Sequence, residues 1–477
     1  MENSQKMLLS FTVGNFRSFR EAQTLSLIAS NRHPDHADHL AGIPDDENRA
    51  LPVAVIYGAN GAGKSNLIQA LVFLQALVLR GTEPKKPIAR RAFLLDQESA
   101  RKPSSFEIQF VHGKHVYAFG CEISDQHVDT EWLSLLQDGK EVSVYERSTD
   151  ANGEVEIEAG PVLTEDGGRE HAKVLALTQV GVLPNQLFLH AASKNLREQD
   201  QGPVLGAALR WFTDHFRIIP ADSMVSSLAQ LISHDETFTQ FAGHFLRSVG
   251  TGVDRLRVDT SEVEEGILRS FGPHIEEYVR ALPVGESATT NLSDGTELFV
   301  EKGEGTKVRL LNIRSEHVNT DGARVDLPFS EESDGTRRLT HLLPALHALR
   351  DKHGLFVVDE IDRSLHPLLA KGFVRGFLQL CAGTGSQMIF TTHDTTFLDL
   401  DLLRRDEIWF ANKRPQEGAT ELYSLADYKV RTDLKIDKAY LQGRFEAVPP
   451  IETELPQWVT NIMNELQPRS AVEKVAV

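Results

Sequence analysis

Val53-Ala54-Val55-Ile56-Tyr57-Gly58-Ala59-Asn60-Gly61-Ala62-Gly63-Lys64-Ser65-Asn66 decides how the rest of the chain is read. A short, continuous β-branched run of this kind marks a strand buried on both faces. Leu67, Ile68, Leu71, Leu74 and Leu77 follow at helical spacing and predict a helix over 65–79. Between strand and helix, Gly58–Ser65 fills the pattern G-x-x-x-x-G-K-S. Phosphate binding needs that order. Gly58, Gly61 and Gly63 free the backbone, so that N–H groups around Asn60 and Ala62 can turn inward on a β-phosphate. The helix opening at Ser65 and Asn66 adds positive potential. Lys64 is then placed to reach the β- and γ-phosphates, and the Ser65 hydroxyl to ligate Mg²⁺.

Phe356-Val357-Val358-Asp359-Glu360 supplies the complementary half. A carboxylate ending a buried strand can hold Mg²⁺, and its neighbour can polarise water for attack on a γ-phosphate. Asp359 is therefore the expected metal-side residue and Glu360 the expected general base. Lys64 and Asp359 bracket most of the chain, unlike the compact spacing of a small GTPase.

Around these two motifs the sequence divides into four stretches. Residues 1–195 form a first lobe. It holds a strand from Leu8 to Val13, the phosphate loop, and strands at 106–110, 116–123, 132–136 and 142–145 that read as a meander inserted after the first helix. Residues 150–170 are acidic and glycine-rich and read as a surface hairpin or loop. Residues 196–284 show helical spacing at Leu205, Leu209, Phe212, Leu228, Leu231, Phe241 and Phe245, and read as a helical insertion. It lacks the sustained heptads of a long coiled coil. Residues 285–448 form a second lobe that alternates strands with helices, which implies a parallel sheet. Residues 449–477 read as a helix started by proline and a frayed tail. The fold class is α/β.

The chain has 477 residues and a mass of 53.1 kDa, with 50 Lys plus Arg against 68 Asp plus Glu, a net charge of −18. This composition is that of a soluble globular protein. The acidic balance argues against coating nucleic acid by bulk charge, which needs clustered Lys and Arg. The acidic excess is expected on the 150–170 loop and the helical insertion, where it would suit a basic partner protein. Only Cys121 and Cys381 occur, so no disulfide framework is expected and a reducing, cytoplasmic setting is natural. No apolar stretch is long enough to span a bilayer, and the N-terminus has no signal-peptide pattern. His33, His36 and His39 with Asp35 and Asp38 lack the Cys/His spacing of a zinc motif and read as a polar loop.

Four further segments carry a resemblance. Ser333-Asp334-Gly335-Thr336-Arg337-Arg338-Leu339 resembles the signature motif of ABC-type ATPases, although Asp334 stands where many have a small residue. Ser364-Leu365-His366 resembles the D-loop, and Thr391-Thr392-His393-Asp394 the switch histidine. Asn15-Phe16-Arg17-Ser18-Phe19 resembles the N-terminal segment of RecF-like and SMC-like heads, which lies beside the nucleotide. Over most of residues 7–448 the chain is similar to the bacterial AAA/ABC-type ATPases of anti-phage defence systems. These include the AriA component of PARIS systems and RloB-associated ATPases, with OLD, RecF and SMC-type heads as more distant relatives. The segments 403–410, 421–425 and 440–445 share this likeness.

The resemblance implies an ABC-type P-loop ATPase head that uses ATP and Mg²⁺. Arg17, Ser18, Ser333, Gly335 and Ser364 would then join the phosphate loop in holding nucleotide, and His393 would join Glu360 and Lys64 in catalysis. It also implies a homodimer, with the signature of one protomer closing on the ATP of the other, and higher assemblies of dimers are allowed. Gln186 is one candidate for a Q-loop glutamine. The stretch after His393 is short for an appended nuclease, so the toxic chemistry is expected in a separately encoded effector, with a phage-derived trigger. The alternative is a RecF- or SMC-like DNA-repair ATPase that binds DNA when ATP is present. A transport ATPase ranks last.

Overall fold

The computed structural model describes residues 5–137, 139–164, 171–219, 228–271, 273–280, 282–285, 287–291, 297–304, 307–349, 354–428, 435–447 and 461–462. The 449–477 expectation, apart from residues 461–462, lies outside them, as does part of the 150–170 stretch.

A six-stranded sheet forms the centre. Its order is Phe216–Ile219, Leu355–Val358, Gln387–Thr391, Val53–Tyr57, Ile408–Lys413 and Thr420–Ser424. The first five strands run parallel and the last is antiparallel. Apolar runs without alternation are what a sheet covered on both faces requires. Within the Val53–Tyr57 strand, Ala54 and Ile56 face one core while Val53, Val55 and Tyr57 face the other. Leu355 and Val357 join the first core, and Phe356 and Val358 the second. The Lys64–Leu79 helix covers the first face with Leu67, Ile68, Leu71 and Leu74, all 0–1 % exposed. Each such side chain contributes about 1.5–3 kcal/mol by burial. The Asp334–Ala348 and Pro367–Cys381 helices cover the second face.

The expected meander is present, but it is not a separate insertion. Strands Ser104–His112, His115–Ile123, Val128–Gln137, Lys140–Thr149 and Val155–Ala159 continue a seven-stranded sheet that begins with Lys6–Gly14 and Gln23–Ser26. Phe106, Ile108 and Phe110 on the strand Ser104–His112 face the same core as Phe11 and Val13, which explains why the N-terminal strand and the meander form one layer. Among the 150–170 residues, 155–159 is the edge strand of this sheet and forms the expected hairpin with Lys140–Thr149. Glu122, Glu141, Glu146, Glu156 and Glu158 line a cavity of about 690 Å³ on the sheet beside Trp132. Part of the acidic excess therefore lies across the sheet face, on more strands than the 150–170 stretch alone.

The 196–284 stretch also differs from expectation. Phe216–Ile219 is a strand of the central sheet, parallel to Leu355–Val358. Val253–Glu264 is a twelve-residue strand of a further five-stranded sheet with Ser287–Asn291, Glu297–Lys302, Lys307–Val318 and Arg324–Pro328. A short apolar run such as Phe216-Arg217-Ile218-Ile219 cannot be told from a helix turn by periodicity. Cys121 and Cys381 are buried and unpaired, as small core residues. Among the described residues, no helix is long and apolar enough to cross a membrane.

Candidate functional site

The phosphate loop leaves the sheet at Tyr57, and its glycines meet real steric limits. A Cβ on Gly58 would lie 2.4 Å from the carbonyl oxygen of Ala411 on the neighbouring strand. Gly63 caps the helix at φ +109°, and a Cβ there would lie 2.2 Å from Thr420 Oγ1. Gly61, at φ +77°, faces open space, and Asn60 beside it is exposed. Ala62 is buried, its N–H bonded to Ala59 and its carbonyl accepting from Thr420.

Lys64 is only 6 % exposed. Its Nζ donates to the carbonyls of Gly58 at 2.8 Å and Ala59 at 3.2 Å. Burial pushes its pKa down to about 8 against the opposing pull of Asp359, Glu360 and Asp362. These three carboxylates follow the Leu355–Val358 strand, which ends at the same edge of the sheet.

The neighbouring strand ends are bonded to one another. Ser65 Oγ donates to Asp359 Oδ1 at 3.2 Å, and Thr391 Oγ1 donates to the same oxygen at 2.6 Å. Thr391 Oγ1 also accepts from the backbone N–H of Glu360 at 2.8 Å. The Thr391 hydroxyl thus joins Asp359 to the Glu360 peptide, and Ser65, from the helix after Val53–Tyr57, bonds the same Asp359 oxygen. A hydroxyl beside a carboxylate is a hard-oxygen set, which fits Mg²⁺ completed by water and phosphate.

Glu360 has φ +48°, a left-handed conformation unusual for a residue with a Cβ. Arg338 donates to the carbonyls of Asp359 at 2.7 Å and Glu360 at 3.1 Å. The Glu360 peptide is therefore gripped from the strand of Thr391 and from the helix of Arg338. His393 is exposed two residues beyond Thr391, and its N–H donates to Asp362 Oδ2 at 3.3 Å. Partial burial and then the charge of Lys64 hold its imidazole below the ordinary value.

The N-terminal segment closes on the start of the helix. Phe16 and Phe19 exchange backbone bonds, leaving Arg17 and Ser18 at the tip of a turn. Ser18 Oγ accepts from Asn66 Nδ2 at 2.7 Å and from Thr420 Oγ1 at 2.8 Å. Arg17 has φ +51°, and its Nε is buried with no hydrogen-bond partner. Its pKa is lowered by burial and by Arg91.

Ser333 and Gly335 are placed elsewhere. Ser333 is exposed and caps its own helix, accepting from Thr336 N at 3.1 Å. A Cβ on Gly335 would lie 2.7 Å from the carbonyl oxygen of Ser364, which is itself exposed at φ +59°. Exposed Ser333 and Ser364 thus flank the half-buried Gly335. Gln186, the Q-loop candidate, is not at this site. Its amide reaches the Thr82 carbonyl, beyond the far end of a helix about 24 Å long.

Three residues of the site had no role in the sequence reading. Thr391 lay in a recognised segment, two positions before His393. Arg338 lay within the signature-like stretch. Thr420 had no local signal, because its place depends on the sixth strand lying beside the phosphate loop.

A family model described as "AAA domain, putative AbiEii toxin, Type IV TA system" matches residues 53–159 and 193–399. No curated protein matches the chain. Among solved structures, an SMC head domain from Thermotoga maritima is 12 % identical at a TM-score of 0.32, covering 88 % of this chain and 98 % of that one. A Smc head bound to the C-terminal domain of ScpA, derived from Pyrococcus furiosus, is 12 % identical at 0.36, covering 92 % and 99 %. The likeness is loose at these values, and the P-loop fold is read from the sheet order and loop geometry above. The family match takes in the phosphate loop, Ser333, Asp359, Glu360 and His393, and the chain belongs to this AAA ATPase family.

Proposed function

We propose that the chain is an ATP-hydrolysing switch of ABC type that controls a separately encoded effector. The observation that carries the proposal is the hydroxyl of Thr391, which ties Asp359 to the peptide of Glu360 while Ser65 bonds the same carboxylate. That arrangement suits a phosphate–metal unit on one side and a water on the other. Lys64 and the loop amides would neutralise the β- and γ-phosphates. Mg²⁺, held by Ser65 and Asp359, would supply charge neutralisation at the γ-phosphate. Glu360 would take a proton from water as its oxygen attacks the γ-phosphorus, the bond to the bridging oxygen breaks, and ADP leaves. His393, kept neutral, would donate an N–H to the γ-phosphate.

Ser333, Gly335 and Ser364 would close on ATP held by a second copy, so that nucleotide joins two heads. Two features support an effector partner. The family description refers to a toxin–antitoxin system, and the carboxylates around Trp132 suit a basic protein. The sequence resemblance to AriA-type ATPases supports reading this switch as part of an anti-phage defence system, with a phage-derived trigger.

The test is direct. Lys64→Ala should lose ATP binding, measured by fluorescent-nucleotide titration. Glu360→Gln should keep binding, lose about 10²–10⁴-fold in phosphate release, and double in mass with ATP by native mass spectrometry. Ser333→Arg should bind ATP and stay monomeric. Unimpaired turnover in Glu360→Gln overturns the assignment of the base. No ATP-dependent complex with the product of the adjacent gene overturns the effector role.

A further inference from the structure

The loop of His36, Asp38 and His39 is not merely polar. One ligand atom from each of the three lies within 4.8 Å of the other two, and the imidazole rings stack with centroids 4.8 Å apart. What distinguishes them from a chance surface group is that one nitrogen of each ring is already held by a partner elsewhere in the fold. His36 Nε2 lies 2.8 Å from the carbonyl oxygen of Leu400. A carbonyl only accepts, so Nε2 carries the hydrogen and Nδ1 is left with its lone pair. His39 Nδ1 lies 3.3 Å from the Glu407 carboxylate, and an N–H donated there leaves Nε2 free. A histidine that donates one N–H to a carbonyl or carboxylate while the other nitrogen stays free is oriented as metal-ligating histidines are.

The supporting groups are rigid. Glu407 is fully buried and also accepts the Arg404 N–H at 2.7 Å. Arg404, 1 % exposed, pairs with Asp406 at 2.8–2.9 Å and donates to the carbonyl of Asp35. Asp406 accepts the Ser30 N–H at 2.7 Å. The root of the loop is therefore docked on residues 404–407, while Asp38 at its tip is exposed.

From this geometry we infer that His36, Asp38 and His39 bind a divalent first-row metal ion, zinc in particular, with water in the fourth position. Two imidazoles and a carboxylate with an open position suit zinc. Tetrahedral zinc at about 2.0–2.1 Å from its ligands sets them about 3.3 Å apart, so closure needs the exposed Asp38 to swing inward and the stacked imidazoles to turn toward one another. Glu407 immediately precedes the Ile408–Lys413 strand, which runs parallel to Val53–Tyr57. The site thus lies at the start of the parallel strands, opposite the edge from which the phosphate loop leaves. The metal would brace the 36–39 turn, whose histidines hydrogen-bond the crossover that returns from His393 to the next strand.

The chain, stripped with chelator and free of nucleotide, is titrated with zinc chloride by calorimetry and with cobalt chloride by visible absorption. The wild type should take up one equivalent more than His36→Ala/His39→Ala and show the visible band of tetrahedral cobalt. Asp38→Asn, at an exposed position, should weaken zinc by about tenfold or more. Zinc should raise the unfolding temperature of the wild type and not that of the double variant. The same number of equivalents in wild type and double variant, or full affinity in Asp38→Asn, overturns the inference.

Discussion

Lys64 shows how much a single buried charge can report. Its pKa of about 8 reflects an ammonium held under the loop with two carbonyls as partners. ATP phosphates favour the charged form, so the free protein loses this proton above about pH 8 while the complex keeps it. ATP affinity should therefore fall by about tenfold per pH unit above 8, up to the ordinary lysine value. A flat profile in nucleotide titrations from pH 8 to 10 would contradict this. Stability moves the other way. The lowered pKa means the unfolded chain binds more protons than the folded one between about 8 and 10.5, so in that window Lys64 makes the nucleotide-free protein more stable as pH rises. Lys64→Ala should remove that component of the thermal unfolding profile. Glu360 is a second residue whose conformation is enforced from outside. A left-handed Glu costs about 1–2 kcal/mol locally, and the bonds from Arg338 and to Thr391 hold it there.

At the scale of elements, the signature helix and the turn after Glu360 act as one unit. The backbone of Gly335 packs on the Ser364 carbonyl, and Arg338, one turn further on, holds the peptide carbonyls of Asp359 and Glu360. A methyl at position 335 would lie 2.7 Å from a backbone oxygen that cannot rotate away. Gly335→Ala should leave ATP binding intact and lower turnover and ATP-dependent dimerisation by about tenfold to a hundredfold, the cost of a displacement near 1 Å. Native mass spectrometry and phosphate release read both. The helix 64–79 was legible by its period, and the strands 53–57, 355–358 and 387–391 by continuous apolar runs beside the motifs they carry. The 216–219 strand was not, since Arg217 interrupts its short run and only pairing with Leu355–Val358 makes it a strand.

For the whole molecule, the question is what holds the seven-stranded sheet against the central one. Gln387, 1 % exposed, opens the central strand beside Val53–Tyr57. Its side chain bonds both backbone groups of Leu8, at 2.5 and 2.9 Å, and the carbonyl of Leu51 at 2.8 Å. Gln387→Ala would leave three buried backbone groups unpaired, at about 1–3 kcal/mol each before relaxation. The expected result is a loss of about 2–5 kcal/mol in urea unfolding, with faster hydrogen exchange along Lys6–Gly14. Unchanged exchange there would show that apolar contacts alone join the sheets. By itself the sequence determined the parallel α/β core, the phosphate loop and the Asp359–Glu360 pair, because each is written in consecutive residues whose period and chemistry are local. The tertiary structure alone decided that the meander continues the N-terminal sheet and that Thr391 and Thr420 complete the site. It alone brought Glu407 and the Leu400 carbonyl to the histidines of the 30–39 loop. Those relations join residues from 31 to 402 positions apart, and only the order of strands in a sheet brings them together.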